Sequence, residues 1–369
     1  MKTPLLPTAW PLFFVSAAVS LAQSVTLPVV SPRATVAQTV GITAITLNYG
    51  RPSVNKREIW GKLVPYGLND LGFGTSKAAP WRAGADENTT ISFPHTVRVE
   101  GQTLPAGTYG LFMVLSEAGE VTVIFSKDSG AWGSFFYEPS HDALRVTTKW
   151  EEAAFCEQLA YEFSEVTKTS VVLALRWEKK RIPLHIAVDT DALVVANLQR
   201  ELTSAKGFEY QAWVNASTYL VQNNLELELA LKWAEAAVNT PFVGRRNFAT
   251  LSNQAAVLDK LGRADEARKV MDEAVPFGTA PEIHQYGRRL LADKRADRAL
   301  EVFKLNATLH PDIWPVNYGL ARGYSAVGNY AAALTALQKA QTQVPAGDSV
   351  NAAAIKTNLE KLKRGEDIN

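Results

Sequence analysis

The stretch WRAGADENTT (Trp81–Thr90) sets an indole, a guanidinium, two adjacent carboxyls and a run of amide and hydroxyl groups side by side. Asp86 and Glu87 could supply the acid and base of a glycoside hydrolysis, a reaction for which enzymes pair carboxylates. Neighbouring residues of a strand point to opposite faces, so these two cooperate only if the segment is a loop. Arg82 could clamp a carboxylate or phosphate, and Trp81 could stack on a sugar ring. Together with the earlier stretch YGRPSVNKR they define a candidate site for a small ligand or glycan: Tyr49, Arg51, Arg57, Trp81, Arg82 and Glu87, joined by Asp86 if the site is catalytic. The same residues also read as the hydrogen-bonded corner of a β domain. Gly84 permits a backbone angle that other residues resist. Arg82 can pair with Glu87 or cap carbonyls, and Thr89 and Thr90 open a strand, TTISF. This second reading needs no substrate and is the one expected.

Little else in the chain offers chemistry. The five histidines, His95, His141, His185, His284 and His310, stand far apart, none in the paired spacing of a metal site, and each is expected at the surface. Cys156 is the only cysteine, which excludes an internal disulfide and a paired-thiol metal site, and it reads as a buried small hydrophobe rather than a nucleophile. No Gly-x-Ser-x-Gly elbow is present, and GFGTSKAAP lacks the spacing of a phosphate-binding loop. The expectation is therefore no metal and no cofactor. Trp132, Phe135, Phe136 and Tyr137 crowd GAWGSFFYEP, where core packing under a loop is expected and an exposed aromatic patch is the alternative.

Two halves with different periods must position these residues. From Thr35 to about Val188, ITAITLNY, TVRVEGQTLPAGTYGLFMVL, EVTVIFSK, QLAYEFSEV and TSVVLALRWEKKRIPLHIAVD alternate or run apolar between turn residues. Period two with frequent turns predicts an antiparallel β-sandwich-like or barrel domain. In the last stretch Ile182, Leu184, Ile186 and Val188 should share one face. From about Asp191 the chain turns Ala- and Leu-rich with helical spacing. LGRADEARKVMDEA, DKRADRALEVFKLNA and VGNYAAALTALQKA superpose Ala267, Ala299 and Ala333, and NLELELALKWAEAAVNTP adds Ala230, a repeat of 32 to 37 residues. The fold class expected is multidomain, β followed by α.

A chain of 369 residues, 47% hydrophobic and 20% charged, is long enough for two cores. The formal net charge is +1 and neither half carries the basic excess that a phosphate backbone requires, so nucleic acid is not an expected partner. Lys2, the uncharged stretch LLPTAWPLFFVSAAVSLA and the small residues ending at Ala22 read as a signal peptide. Pro4, Pro7 and Pro11 leave an apolar core too short for a membrane span, which takes about 20 residues. Cleavage after Ala22, export to the periplasm or beyond, and no transmembrane segment in the mature chain are the expectations.

The helical half resembles tetratricopeptide repeats over about residues 210–345. Gly262 and Gly328 precede second helices, Gly287 and Ala321 take the small close-packing site of first helices, Phe303 fills the large apolar position, and Pro311 and Pro345 stop two units. Asn306 departs from the pattern, where Ala is usual, as does Lys294, where Gly is usual. VNAAAIKTNLEKLKR resembles the polar-faced helix that caps such a stack. The resemblance implies stacked helix pairs and a concave groove, which in this family usually holds a peptide or a partner helix. The β half, from about Ser31 to Asp189, resembles an exported bacterial family, domain of unknown function 2911, in YGRPSVNKREIWGKLVPYG, PWRAGADENTTISF, GQTLPAGTYGLFMV and the set Trp132, Gly133 and Tyr137. Asp86 stands where Asn is usual there, and Lys56 where Gly is usual. Their opposite charges would compensate each other if the two loops meet. This resemblance implies no assigned reaction.

The organisation expected is a signal peptide (1–22), a β-sandwich-like domain (23–189), a linker or connecting helix (190–209), tetratricopeptide-like repeats (210–345), and a capping helix and tail (346–369). The expected function is non-enzymatic binding or scaffolding in the bacterial envelope, with a protein or peptide partner in the repeat groove and a small ligand or glycan on the β domain. A hydrolase acting on a glycan or related polymer is the alternative, with Glu87 as acid or base and Arg82 as electrostatic clamp.

Overall fold

The computed structural model describes residues 27–369, and the expected signal segment lies outside them. The chain divides into two compact units, Met1–Thr190 and Asp191–Asn369.

The first unit is built from antiparallel strands: β1 (Arg33–Val40), β2 (Thr43–Gly50), β3 (Thr90–Phe93), β4 (Val97–Val99), β5 (Gln102–Leu104), β6 (Gly107–Leu115), β7 (Glu120–Ser126), β8 (Asp142–Lys149), β9 (Glu151–Ser164) and β10 (Ser170–Ala187). Six form one sheet in the order β1-β2-β3-β6-β7-β8 and four a second in the order β5-β4-β10-β9. Alternation decides which side chains enter the core, because successive residues of a strand point to opposite faces. In β2, Ile45, Leu47 and Tyr49 are buried while Ala44 is exposed and Thr46 and Asn48 are half-buried. Ile182, Leu184, Ile186 and Val188 are all buried, whereas His185 and Asp189 are exposed, as the pattern predicts. The two sheets meet at Tyr49 of β2 and Tyr161 of β9, whose rings cross edge to face at 4.8 Å. The backbone N–H of Tyr161 donates to the Tyr49 hydroxyl at 3.1 Å.

Sequence alternation misses β8. Val146 is the only fully buried residue of that strand, which closes one edge of the six-stranded sheet by pairing with β7, so its apolar signal is weak. The first half of β9 is also largely exposed, and Cys156 there is half-buried, not a core residue; its thiol donates to Gln158 O at 3.1 Å. Glu100 (φ 46°) and Gly101 (φ 78°) turn β4 into β5, the two positive φ angles that let a tight hairpin follow the strand twist.

The second unit holds α1 (Thr190–Leu202, whose first residue closes the first unit), α2 (Tyr210–Gln222), α3 (Leu227–Asn239), α4 (Phe248–Lys260), α5 (Ala264–Ala274), α6 (Ala280–Ala292), α7 (Ala296–Leu309), α8 (Trp314–Ala326), α9 (Tyr330–Gln343) and α10 (Ser349–Lys363). Four helix pairs, α2/α3, α4/α5, α6/α7 and α8/α9, follow one another, as the tetratricopeptide resemblance implies. Ala230, Ala267, Ala299 and Ala333 take the same place in the second helix of each pair and are all buried, because only a small side chain lets the two backbones approach. Phe303 fills the opposite need. A Cβ on Gly287 would lie 2.5 Å from its ring, and one on Gly319 or Gly323 under 3 Å, so three glycines of α6 and α8 make room for one aromatic. Helix α10 buries Ile355, Leu359 and Leu362 and exposes much of its remaining surface, which ends the stack without a further repeat. Among the described residues, no helix is long and apolar enough to cross a membrane.

Candidate functional site

The segment Trp81–Thr90 is an excursion beside β6, an inner strand of the six-stranded sheet. Trp81 forms a bridge to Met113 of β6, with Trp81 N–H donating to Met113 O at 2.9 Å and Met113 N–H to Trp81 O at 2.8 Å. The chain rejoins β6 where Leu111 N–H donates to Thr89 O at 2.8 Å. Residues 82–88 loop out between these two points. Arg82 closes the neck of the loop, donating from Nη1 to Asp86 O at 2.6 Å.

Half of this loop is structural. Ala83 O accepts from the Tyr161 hydroxyl at 2.8 Å and from Thr89 Oγ1 at 3.2 Å, both buried. Gly84 admits no side chain, since a Cβ would lie 2.5 Å from Thr89 Oγ1. The reciprocal fit is Gly50 at the end of β2, where a Cβ would meet Ala85 O at 2.2 Å. Asn88 is buried and its amide donates to Asp128 O at 3.1 Å. These bonds anchor the corner on both sheets.

The other half faces a cleft of about 640 Å³. Trp81, Arg82 and Asp86 line it together with Arg57, Glu157 and Trp177. The arginine is held in place by the stretch around Trp132, Gly133 and Tyr137. A Cβ on Gly133, whose φ is 62°, would lie 2.4 Å from Arg82 Cζ, and the guanidinium stands 5.0 Å from the centre of the Phe135 ring. Burial in this slot lowers the Arg82 pKa from its ordinary value, while the charge of Asp86 pulls it back up. Arg57 donates only to backbone carbonyls, from Nε to Val54 O at 3.1 Å and from Nη2 to Ser53 O at 2.5 Å. Among the described residues neither cleft arginine forms an ion pair. One wall is aromatic: Trp81 and Trp177 lie near parallel, 16° apart with centroids at 6.1 Å, and Trp60 packs edge-on to both.

The remaining residues named from sequence sit elsewhere. Tyr49 is buried between the sheets against Tyr161. Arg51 donates from Nε to Leu159 O at 3.0 Å and ties β2 to β9. Glu87 is off the cleft, half-exposed, 3.7 Å from Arg33, so it does not pair with Arg82. Lys56 and Asp86 are both exposed and form no ion pair, so charge compensation between the two loops is not seen. Sequence reading missed Trp177, Glu157 and Trp60. Trp177 lies where β10 slips register against β9 on either side of Glu178, whose φ is 54°. Such a bulge re-aims side chains. Its trace in the sequence is the break in alternation at RWEKKR.

The aromatic stretch GAWGSFFYEP is divided. Tyr137 is buried, and its hydroxyl donates to Asp142 Oδ2 at 2.7 Å, but Trp132 and Phe136 are exposed at the surface. Among the described residues, no three His, Cys, Asp or Glu side chains come together as a metal site would require. His141 and His185 are exposed, whereas His95, His284 and His310 are half-buried, against the surface expectation.

In the helical unit a second concavity, about 240 Å³, runs across α6, α8 and α10. His284 and Arg288 of α6, Trp314, Tyr318 and Arg322 of α8, and Asn351 of α10 line it. Arg322 lies over the Tyr318 ring at 4.8 Å and donates to the Tyr318 hydroxyl at 3.3 Å. Burial pushes the His284 pKa from 6.5 down to about 4, and Arg288 and Arg322 add to the shift, so the imidazole is neutral beside two guanidiniums.

Residues 31–186 match a family described as "Protein of unknown function (DUF2911)". No curated protein matches the chain. The helical part is similar to solved repeat proteins. MamA residues 41-end from Desulfovibrio magneticus RS-1 is 20% identical over 43% of this chain and 97% of its own, with a TM-score of 0.28. TTC0263, a thermophilic TPR protein of Thermus thermophilus, is 17% identical over 47% of this chain and 91% of its own, with a TM-score of 0.30. YrrB, described as a TPR protein with an unusual peptide-binding site, is 18% identical over 46% and 88%, with a TM-score of 0.29.

Proposed function

We propose that this is an exported, non-enzymatic binding protein of the bacterial envelope, whose helical repeats hold a segment of a protein partner while the β-domain cleft takes a small ligand or glycan. The observation that carries the reading is the groove across α6, α8 and α10. A stack of helix pairs completes its own core by burying the faces between neighbours, and that requirement accounts for the buried alanines and Phe303. It does not account for Arg288, which is exposed on the groove wall with no ion pair among the described residues, beside an indole and a phenol. Aromatic and arginine side chains gathered in a concave surface are the composition enriched at protein-binding hot spots. Export rests on the uncharged stretch Leu5–Ala22 and its small-residue end.

The experiment is crosslinking capture from envelope extract with the full mature chain and with its Arg288→Glu variant. A partner enriched by the first and lost with the second supports the reading. A partner retained equally by both moves the contact away from the groove and sinks it. The hydrolase alternative has less support, because Glu87, its assigned acid or base, lies off the cleft beside Arg33.

A further inference from the structure

The charge and shape of the β-domain cleft narrow what it takes; this step rests on reading the cleft as a ligand site. The ionisable groups among its principal lining residues balance, Arg57 and Arg82 against Asp86 and Glu157. A cleft for an acidic polymer would carry an excess of cations, and none is present. What the four share is planarity: two guanidiniums and two carboxylates, with the amides of Asn55 and Asn69 beside them on the wall. Planar groups offer two hydrogen-bonding atoms at fixed spacing, which suits two neighbouring hydroxyls on a ring. Arg57 donates from Nε and Nη2 to Val54 O and Ser53 O, and Asn69 from its amide to Tyr66 O and Gly67 O, so most of the free capacity lies with Arg82, Asp86 and Glu157. Arg82 spends one N–H on Asp86 O, and Glu157 accepts through Oε1 from Asn55 N–H at 2.9 Å. The arginine is pinned between Gly133 and Phe135, so its remaining donors are held in a fixed direction before any ligand arrives.

The aromatic wall supplies the other half of the recognition. Trp81, half-buried, turns indole surface that is apolar and flat to the cleft, matched to the C–H face of a saturated ring, and Trp177, itself buried, stacks behind it and fixes the ring plane. Leu63 and Leu71, both exposed, continue the apolar rim. The volume of about 640 Å³ lies within the roughly 300–1,000 Å³ range of small-molecule sites and exceeds the needs of a single amino acid.

We propose that the cleft between residues 52–86 and the Glu157 and Trp177 positions binds a neutral oligosaccharide, with a ring face on Trp81, backed by the buried Trp177, and vicinal hydroxyls on Arg82, Asp86, Arg57 and Glu157. No bond is made or broken; the site holds and orients the sugar.

The test is isothermal titration of the full mature chain with neutral tetrasaccharides (a β1,4-glucan, an α1,4-glucan and a β1,4-linked N-acetylglucosamine oligomer) and with trigalacturonate as the acidic probe. The expected result is saturable binding of at least one neutral probe. Trp81→Ala should weaken it at least tenfold. So should Arg82→Lys, which keeps the charge and removes the planar fork. Glu87→Gln, off the cleft, should leave affinity unchanged, and melting curves of each variant separate lost binding from lost folding. Binding of trigalacturonate with no neutral sugar bound overturns the inference while leaving a ligand in the cleft. Absence of binding by every probe, or a neutral sugar whose affinity survives both Trp81→Ala and Arg82→Lys, overturns the inference and the reading of the cleft together.

Discussion

Lys56 and Lys294 occupy left-handed backbone, with φ of 57° and 59°, at positions where the resembled families usually carry glycine. The corresponding repeat turns do carry it: Gly262 (φ 78°) and Gly328 (φ 76°) have the same conformation. The positive φ is the same with lysine as with glycine, and the lysine bears the strain. Left-handed geometry costs a residue with a Cβ about 1–2 kcal/mol, and glycine returns roughly half of that in unfolded-chain entropy. Lys56→Gly and Lys294→Gly should each stabilise the protein by about 0.5–1 kcal/mol, measured as a rise in urea midpoint at constant slope; a fall in either midpoint contradicts this account. Tyr161→Phe tests the corner of the cleft. Ala83 O keeps Thr89 as a partner, so the loss should be limited to about 1 kcal/mol in the same assay.

At the scale of the elements, Phe303 joins α7 to α6 and α8 through the space that Gly287, Gly319 and Gly323 leave. Phe303→Ala should cost about 3–5 kcal/mol, because three backbones held apart by one ring cannot all collapse onto the cavity. A loss under about 1 kcal/mol in chemical unfolding of residues 190–369 would mean that the helices close up freely. His284 packs 5.6 Å from the same ring. Its depressed pKa means that the unfolded chain binds a proton between about pH 6.5 and 4 and the folded one does not. Stability is therefore fully present above 6.5 and falls as the pH drops toward 4, by about 2–3 kcal/mol. The matching urea series from pH 7 to 4 should flatten in His284→Gln; an equal slope in the variant would assign the loss to other groups.

At the scale of the whole molecule, each unit has its own buried residues: two facing sheets in one, a stacked set of helix pairs in the other. A unit with a complete core folds without its neighbour. Residues 27–189 and 190–369, produced separately, should each give a cooperative thermal transition, β-type and helical respectively by circular dichroism. A non-cooperative melt for either one would show that its core is completed across the boundary.

Much of this architecture was legible locally. Alternation over Ile182–Val188 and the spacing of Ala230, Ala267, Ala299 and Ala333 report which face is buried, and that depends only on the strand and helix periods. The sequence also marks the corner at Gly84 and the polar stretch beside it. What it does not carry is which of those polar groups share a space. Asp86 and Glu87 are adjacent in the chain, yet one lines the cleft and the other lies off it beside Arg33, because residues 82–88 leave the side of β6 as a loop that Arg82 closes. Trp177 and Glu157 reach the cleft from β10 and β9, far along the chain from Trp81, through a bulge and an edge bridge that leave only a faint trace in composition. Periodicity is a property of neighbouring residues and survives in the sequence; the meeting of side chains from separate strands is set by sheet order and register, and only the folded molecule decides it.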